Sequence, residues 1–169
     1  SSNEFQVPIF LDSEDLTNLK ELQHNVERSH NVALLLTRGV LTRPWCLVEL
    51  VTAVKSGIPV VLVEVAKRGN EFKFPDNDFF KSLADGSILD NSAMQVLASC
   101  GIDFALLEST IREIFKSIAV PYSPHRPLHV RRAELETLLR QCRYMDNEQS
   151  PLRKSSAPAY VSEQQARQR

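Results

Sequence analysis

Apolar residues in this chain fall into two short unbroken runs and several periodic stretches. Val32-Ala33-Leu34-Leu35-Leu36 is uninterrupted, and Val60–Val65 is broken only by Glu64. Both have strand length, and continuous apolar runs mark strands covered on both faces, as in a parallel sheet. Between them, Pro44 to Ser56 has a helical pattern, with Trp45, Leu47, Val48, Leu50, Val51 and Val54 as its apolar positions. Pro44 suits the first helical position, and Gly57 followed by Pro59 stops the helix. Two strands joined by one helix predict a right-handed βαβ unit.

The flanks carry weaker patterns of the same kind. Val7–Leu11 predicts a short strand, with Pro8 placing its start near a sheet edge. Asp12, Ser13, Glu14 and Asp15 supply capping and first-turn acids for a helix whose apolar stripe is Leu16, Leu19, Leu22 and Val26. Beyond Val65, residues 66–78 are polar and predict a loop, with Phe72 and Phe74 as its anchors. A helical turn is expected at Phe79–Leu83, then a helix over Ser92–Ser99 capped by Asp90 and Asn91. Another follows over Asp103–Lys116, with Leu107, Ile111, Ile114 and Ile118 on one face. Pro121 and Pro124 end any helix there, so Phe115–Val120 is expected to switch to a last strand, at a point that periodicity does not fix. A final amphipathic helix, Val130–Cys142, is expected to bury Val130, Ala133, Leu138, Leu139 and Cys142. The alternation predicts a three-layer α/β fold, a mainly parallel sheet flanked by helices, over residues 1–143. Residues 144–169, rich in Pro, Ser, Gln and Arg, read as a polar tail or linker; residues 145–169 would hold the chain in a larger complex if it is a structural subunit.

Composition narrows the chemistry. A net charge of −1 over 169 residues gives no electrostatic footprint for nucleic acid. No apolar run reaches the ~18–20 residues of a membrane span. Three widely spaced cysteines, Cys46, Cys100 and Cys142, fit reduced thiols and a cytoplasmic setting. His125 and His129 are separated by Pro127, and no Cys-x-x-Cys or His-Glu-x-x-His occurs, so no metal site is expected. The five glycines are isolated, which excludes dinucleotide and nucleotide-phosphate loops and any resident cofactor bound through them. Cys46 lies near a helix start, where a thiol pKa falls, yet no activating histidine accompanies it, and it reads as a structural thiol.

Glu49 is the only carboxylate between Pro44 and Val54, and it shares a helical face with Trp45. Two readings are open. In one, Glu49, Thr52 and Ser56 form the narrow wet stripe of a buried helix. In the other, a carboxylate beside an indole at a sheet edge is a working group.

Three segments carry a family resemblance: Phe10-Leu11-Asp12-Ser13-Glu14-Asp15-Leu16, then Val32–Leu36, then Leu41-Thr42-Arg43-Pro44-Trp45-Cys46-Leu47-Val48-Glu49-Leu50. Together they resemble the TIR domain, the Toll/interleukin-1 receptor and plant-resistance signalling module, from its second strand through its W-C-x-x-E-L helix. The resemblance implies a flavodoxin-like fold whose first strand and helix precede this chain. That first strand would lie between the strands matching Val7–Leu11 and Val32–Leu36, so the chain is expected to be a fragment, or its sheet to be completed by another segment. It also implies an interaction module that self-associates or docks with other TIR-like proteins to assemble a signalling or scaffold complex. Asp12, Ser13, Glu14, Asp15 and Leu16, with the exposed edge of the Pro44–Ser56 helix, would be the contact segments. As an alternative, some TIR domains are NAD nucleosidases whose essential glutamate matches Glu49. Departure of nicotinamide leaves an oxocarbenium-like sugar, which a carboxylate stabilises or whose attacking water it activates. Glu49 would then be catalytic, Trp45 substrate-binding and NAD the substrate. A third expectation is a structural subunit that keeps only the fold. The interaction module leads, because the absent first strand and its loop would line half of the nucleotide pocket.

Overall fold

The computed structural model describes residues 19–67, 69 and 71–142. The expected strand at Val7–Leu11 and the tail from 144 lie outside the described residues. Chain order is α1 (Leu19–Glu27), β1 (Val32–Leu36), a 3-10 turn (Val40–Thr42), α2 (Pro44–Lys55) and β2 (Val60–Val65). Then follow α3 (Asn77–Ala84), α4 (Asn91–Ser99), α5 (Phe104–Ile114), β3 (Val120–Tyr122) and α6 (Leu128–Gln141). The three strands form one parallel sheet in the order β1-β2-β3, flanked by helices as a three-layer α/β arrangement. Val32 pairs with Val60 and Leu36 with Glu64, while Val63 pairs with Val120 and Val65 with Tyr122.

The βαβ unit forms where its pattern places it, but β1 is not covered on both faces as its continuous apolar run predicts: Leu34 and Leu36 are buried while Ala33 and Leu35 are exposed. Pro44 occupies the first turn of α2, where its missing N–H is not needed, and Gly57 takes a left-handed φ of 67° just past the helix end. Two packed clusters meet along α2. Leu47, Val48 and Val51 join Leu22 of α1 and Leu83, Leu97, Leu107 and Ile111 of α3–α5. Leu50 turns the other way, onto Leu34, Leu36 and Leu62 of the sheet with Ile114. A helix that is apolar on most of its circumference is therefore the internal pillar of the fold, not a surface element.

Three short helices are started by aspartates. Asp76, Asp90 and Asp103 accept the backbone N–H of Phe79, Ala93 and Leu106 at 2.9, 2.7 and 2.8 Å. The loop after β2 is anchored aromatically: Phe72 stacks on Phe115 with centroids 6.0 Å apart, and Phe74 meets both rings edge-on. Phe72 and Phe74 are thus the anchors the sequence suggests.

The C-terminal third departs from expectation in three ways. The last strand is Val120–Tyr122, running through Pro121 rather than ending before it. β3 is an edge strand, and an edge tolerates a residue without an N–H because that position can face away from the ladder. Helix α5 ends at Ile114, so Ile118 is 84% exposed instead of continuing the buried face of Leu107, Ile111 and Ile114. Helix α6 contains no buried residue. Val130 and Leu138 are half-buried, whereas Ala133 and Leu139 are exposed. The expected buried side of Val130, Ala133, Leu138, Leu139 and Cys142 does not form: among the described residues α6 rests chiefly on the short strand β3 and on β2.

Candidate functional site

Helix α2 carries both residues singled out for nucleotide chemistry. Trp45, in its first turn, is half-buried against the helical cluster around Leu47, Val48 and Leu22. Glu49 lies one turn later and is also half-buried. The two side chains therefore occupy neighbouring positions on one face, as their spacing requires. Thr52 does not extend a wet stripe from Glu49. It is only 5% exposed, and its hydroxyl donates to the Val48 carbonyl at 2.8 Å. A threonine is accommodated inside a packed helix because the carbonyl one turn back satisfies its hydroxyl. Cys46 is half-buried and packs toward the sheet cluster, the position of a structural thiol.

The exposed edge expected along α2 is small. Leu47, Val48, Leu50, Val51, Thr52 and Ala53 are all buried, which leaves Lys55 and Ser56 at the C-terminal end as its exposed positions. Asp12, Ser13, Glu14, Asp15 and Leu16 lie outside the described residues, so their relation to α2 is not part of this geometry.

Trp45 and Glu49 line neither of two clefts that described residues form. The larger, about 520 Å³, lies at the corner between α4 and α5 among Met94, Leu97, Ala98, Ile102 and Phe104. Its one carboxylate, Asp103, is engaged in capping α5. The smaller, about 200 Å³, lies between β3 and α6, lined by Val120, Pro121, Val130 and Glu134. Among the described residues, no three His, Cys, Asp or Glu side chains come close enough to hold a metal ion. His125 and His129 are both exposed. Also among the described residues, no single helix is long and apolar enough to cross a membrane.

Titration is perturbed at Asp76, Asp85 and Cys142. A hydrogen bond from the Phe79 N–H and one from Lys73 hold the Asp76 carboxyl below the usual carboxylate range. Hydrogen bonds from Ser87 do the same for Asp85, and burial pushes the Cys142 thiol up. All three are structural positions at turns or helix ends.

Two features escape sequence reasoning. Glu134 accepts the backbone N–H of Ser123 at 2.7 Å, tying the turn after β3 to α6 across eleven positions. No periodicity marks that contact. The other is the outer face of α6, where Leu128, Leu135 and Leu139 are 56, 43 and 45% exposed. A run of leucines was available in the sequence, but an amphipathic pattern does not say whether its apolar side meets the protein's own core or something else.

Comparison with protein-family models, with curated proteins and with solved structures returns no match.

Proposed function

We propose that this chain is a TIR-type interaction module that builds a signalling or scaffold assembly by self-association or by contact with other TIR-like surfaces. The observation that supports it is apolar exposure. Leu35, Phe74, Ile118, Leu128, Leu135 and Leu139 are all large and between 43 and 84% exposed, and three of them belong to one helix. Scattered exposed leucines are ordinary, but leucines aligned on one helix face are the form that protein contacts take. The W-C-x-x-E-L helix and its two flanking strands supply the family argument, and three widely spaced cysteines support a cytoplasmic setting.

The test is the mass of the full chain as a function of concentration. An assembly module forms oligomers or captures a TIR-like partner as concentration rises. A chain that remains monomeric at the highest attainable concentration, and binds no TIR-like protein, refutes the reading.

A second reading has its own support in the half-buried pair Trp45 and Glu49, one turn apart on α2. Here the chain, with whatever completes its pocket, hydrolyses NAD to nicotinamide. Glu49 stabilises the oxocarbenium-like sugar, and Trp45 provides apolar surface beside it. Nicotinamide release measured under assembling conditions decides it. Release that disappears in Glu49→Ala with the fold retained establishes the enzyme, and absence of release from a folded, assembled sample leaves Glu49 structural.

A further inference from the structure

We infer that the outer face of α6 pairs antiparallel with α6 of a second copy of this chain, forming a two-helix contact with self-complementary charge. This deepens the assembly reading above and rests on it.

The geometry starts from helical periodicity. At about 100° per residue, Leu128, Leu135 and Leu139 fall within an arc of about 40°. Val130, Ala133, Glu134 and Thr137 lie on the opposite side, toward Val120 and Pro121 of β3. The leucine stripe therefore points directly away from the domain, which explains its exposure and the absence of any buried residue on α6.

Charge selects the occupant. Arg132 and Glu136 flank the stripe on the same side, both exposed, and neither has an ion-pair partner among the described residues. In an antiparallel pair related by a twofold axis, each flank meets the same flank of the other copy. Setting Arg132 level with Glu136 of the second copy places Glu136 level with the second Arg132, giving two ion pairs. The same register brings Leu128 opposite Leu139 of the second copy to within one residue, about 1.5 Å along the axis. Leu135 then meets its own counterpart at the centre. One offset satisfies all three leucines and both ion pairs. Parallel pairing would instead bring Arg132 beside Arg131 of the second copy, a like-charge contact. A closed twofold contact of this kind is the commonest form of self-association.

The 14-residue helix is ~21 Å long and covers less than the ~800 Å² per partner of a standard stable interface. The contact is therefore weak alone and shows at high protein concentration, as suits a module recruited into a larger array.

Sedimentation of the full chain across a wide concentration range tests this, comparing the natural sequence with Leu135→Glu, Arg132→Glu, Glu136→Arg and the double swap R132E/E136R. All four change exposed positions, and circular dichroism verifies the fold of each. The natural chain is expected to form dimers, Leu135→Glu to remain monomeric, and each single charge reversal to weaken association roughly tenfold or more. The double swap is expected to restore it, which only a contact between two copies of α6 can do. Oligomers that persist in Leu135→Glu overturn α6 as the surface while leaving self-association intact. Failure of the double swap to rescue overturns the antiparallel pairing, and a natural chain that stays monomeric overturns the pairing and removes self-association from the assembly reading.

Discussion

Gly86 offers a quantitative test of how the helical side of the core is put together. It follows the end of α3, with φ of 75°, where the chain turns toward α4. A methyl group placed on it would lie 3.2 Å from Cζ and 3.4 Å from Cε2 of Phe104, and 3.7 Å from the Met94 sulfur. The turn thus presses backbone against the first residue of α5. Gly86→Ala combines two costs: about 1–2 kcal/mol for a side chain in the left-handed region and about 1–3 kcal/mol for crowding a packed ring. Gly57 separates them. Its φ of 67° is nearly the same, yet a methyl group there meets nothing within 4 Å. Gly57→Ala therefore carries the backbone cost alone. For a chain of this size each kcal/mol lowers the melting temperature by about 2–4 °C, so Gly86→Ala should melt several degrees below Gly57→Ala. Urea denaturation of both variants gives the difference as free energy, provided the slopes agree. Equal destabilisation would refute the close approach of the α3–α4 turn to Phe104. A smaller effect at Gly86 would refute it more strongly.

Other outcomes follow from single contacts. Thr52→Val keeps the shape of a buried side chain and removes a hydroxyl that donates to a helical carbonyl, so it should change stability by less than about 1 kcal/mol. Thr52→Ser removes a buried methyl and should cost about 1 kcal/mol; a larger loss in the valine variant on chemical denaturation would contradict this account. Because the folded state holds the Asp76 carboxyl below the usual range, Asp76 contributes stability above the unfolded pKa and loses it as pH falls through the folded value. Asp76→Asn should accordingly flatten the acid limb of a stability–pH profile below about pH 4 and leave its neutral arm sloping as before. An unchanged acid limb would show that the Phe79 and Lys73 hydrogen bonds do not persist in solution.

The central βαβ unit was readable almost to the residue, because Val32–Leu36 and Val60–Val65 are continuous and Pro44 and Gly57 punctuate the helix between them. Of the three aspartate caps only Asp90 was legible as one, since an Asp ahead of an apolar period states both a position and a reason, whereas Asp76 reads as part of a loop and Asp103 as a helical residue. Reading failed where tertiary placement outweighs local rule. Pro121 forbids a central strand but not an edge, and whether a strand is central is not a local property. Ile118 and the leucines of α6 fit a helical stripe, but only the folded chain reveals that they stay exposed. Of the candidate site, the Trp45–Glu49 pairing follows from spacing alone. The inward role of Thr52 does not, because a hydroxyl satisfied within its own helix leaves no trace in a polarity pattern.

Trp45 is the single tryptophan of the chain. It packs against the helical core one turn before Glu49, so the intrinsic fluorescence of this protein is a local optical reporter. Emission wavelength and quenching by acrylamide will register solvent access at the start of α2 without a label or a substitution. A nucleotide arriving beside Glu49 would alter that signal, whereas two copies meeting through the far side of α6 would leave it constant. One cuvette thereby separates the two proposed activities of the molecule.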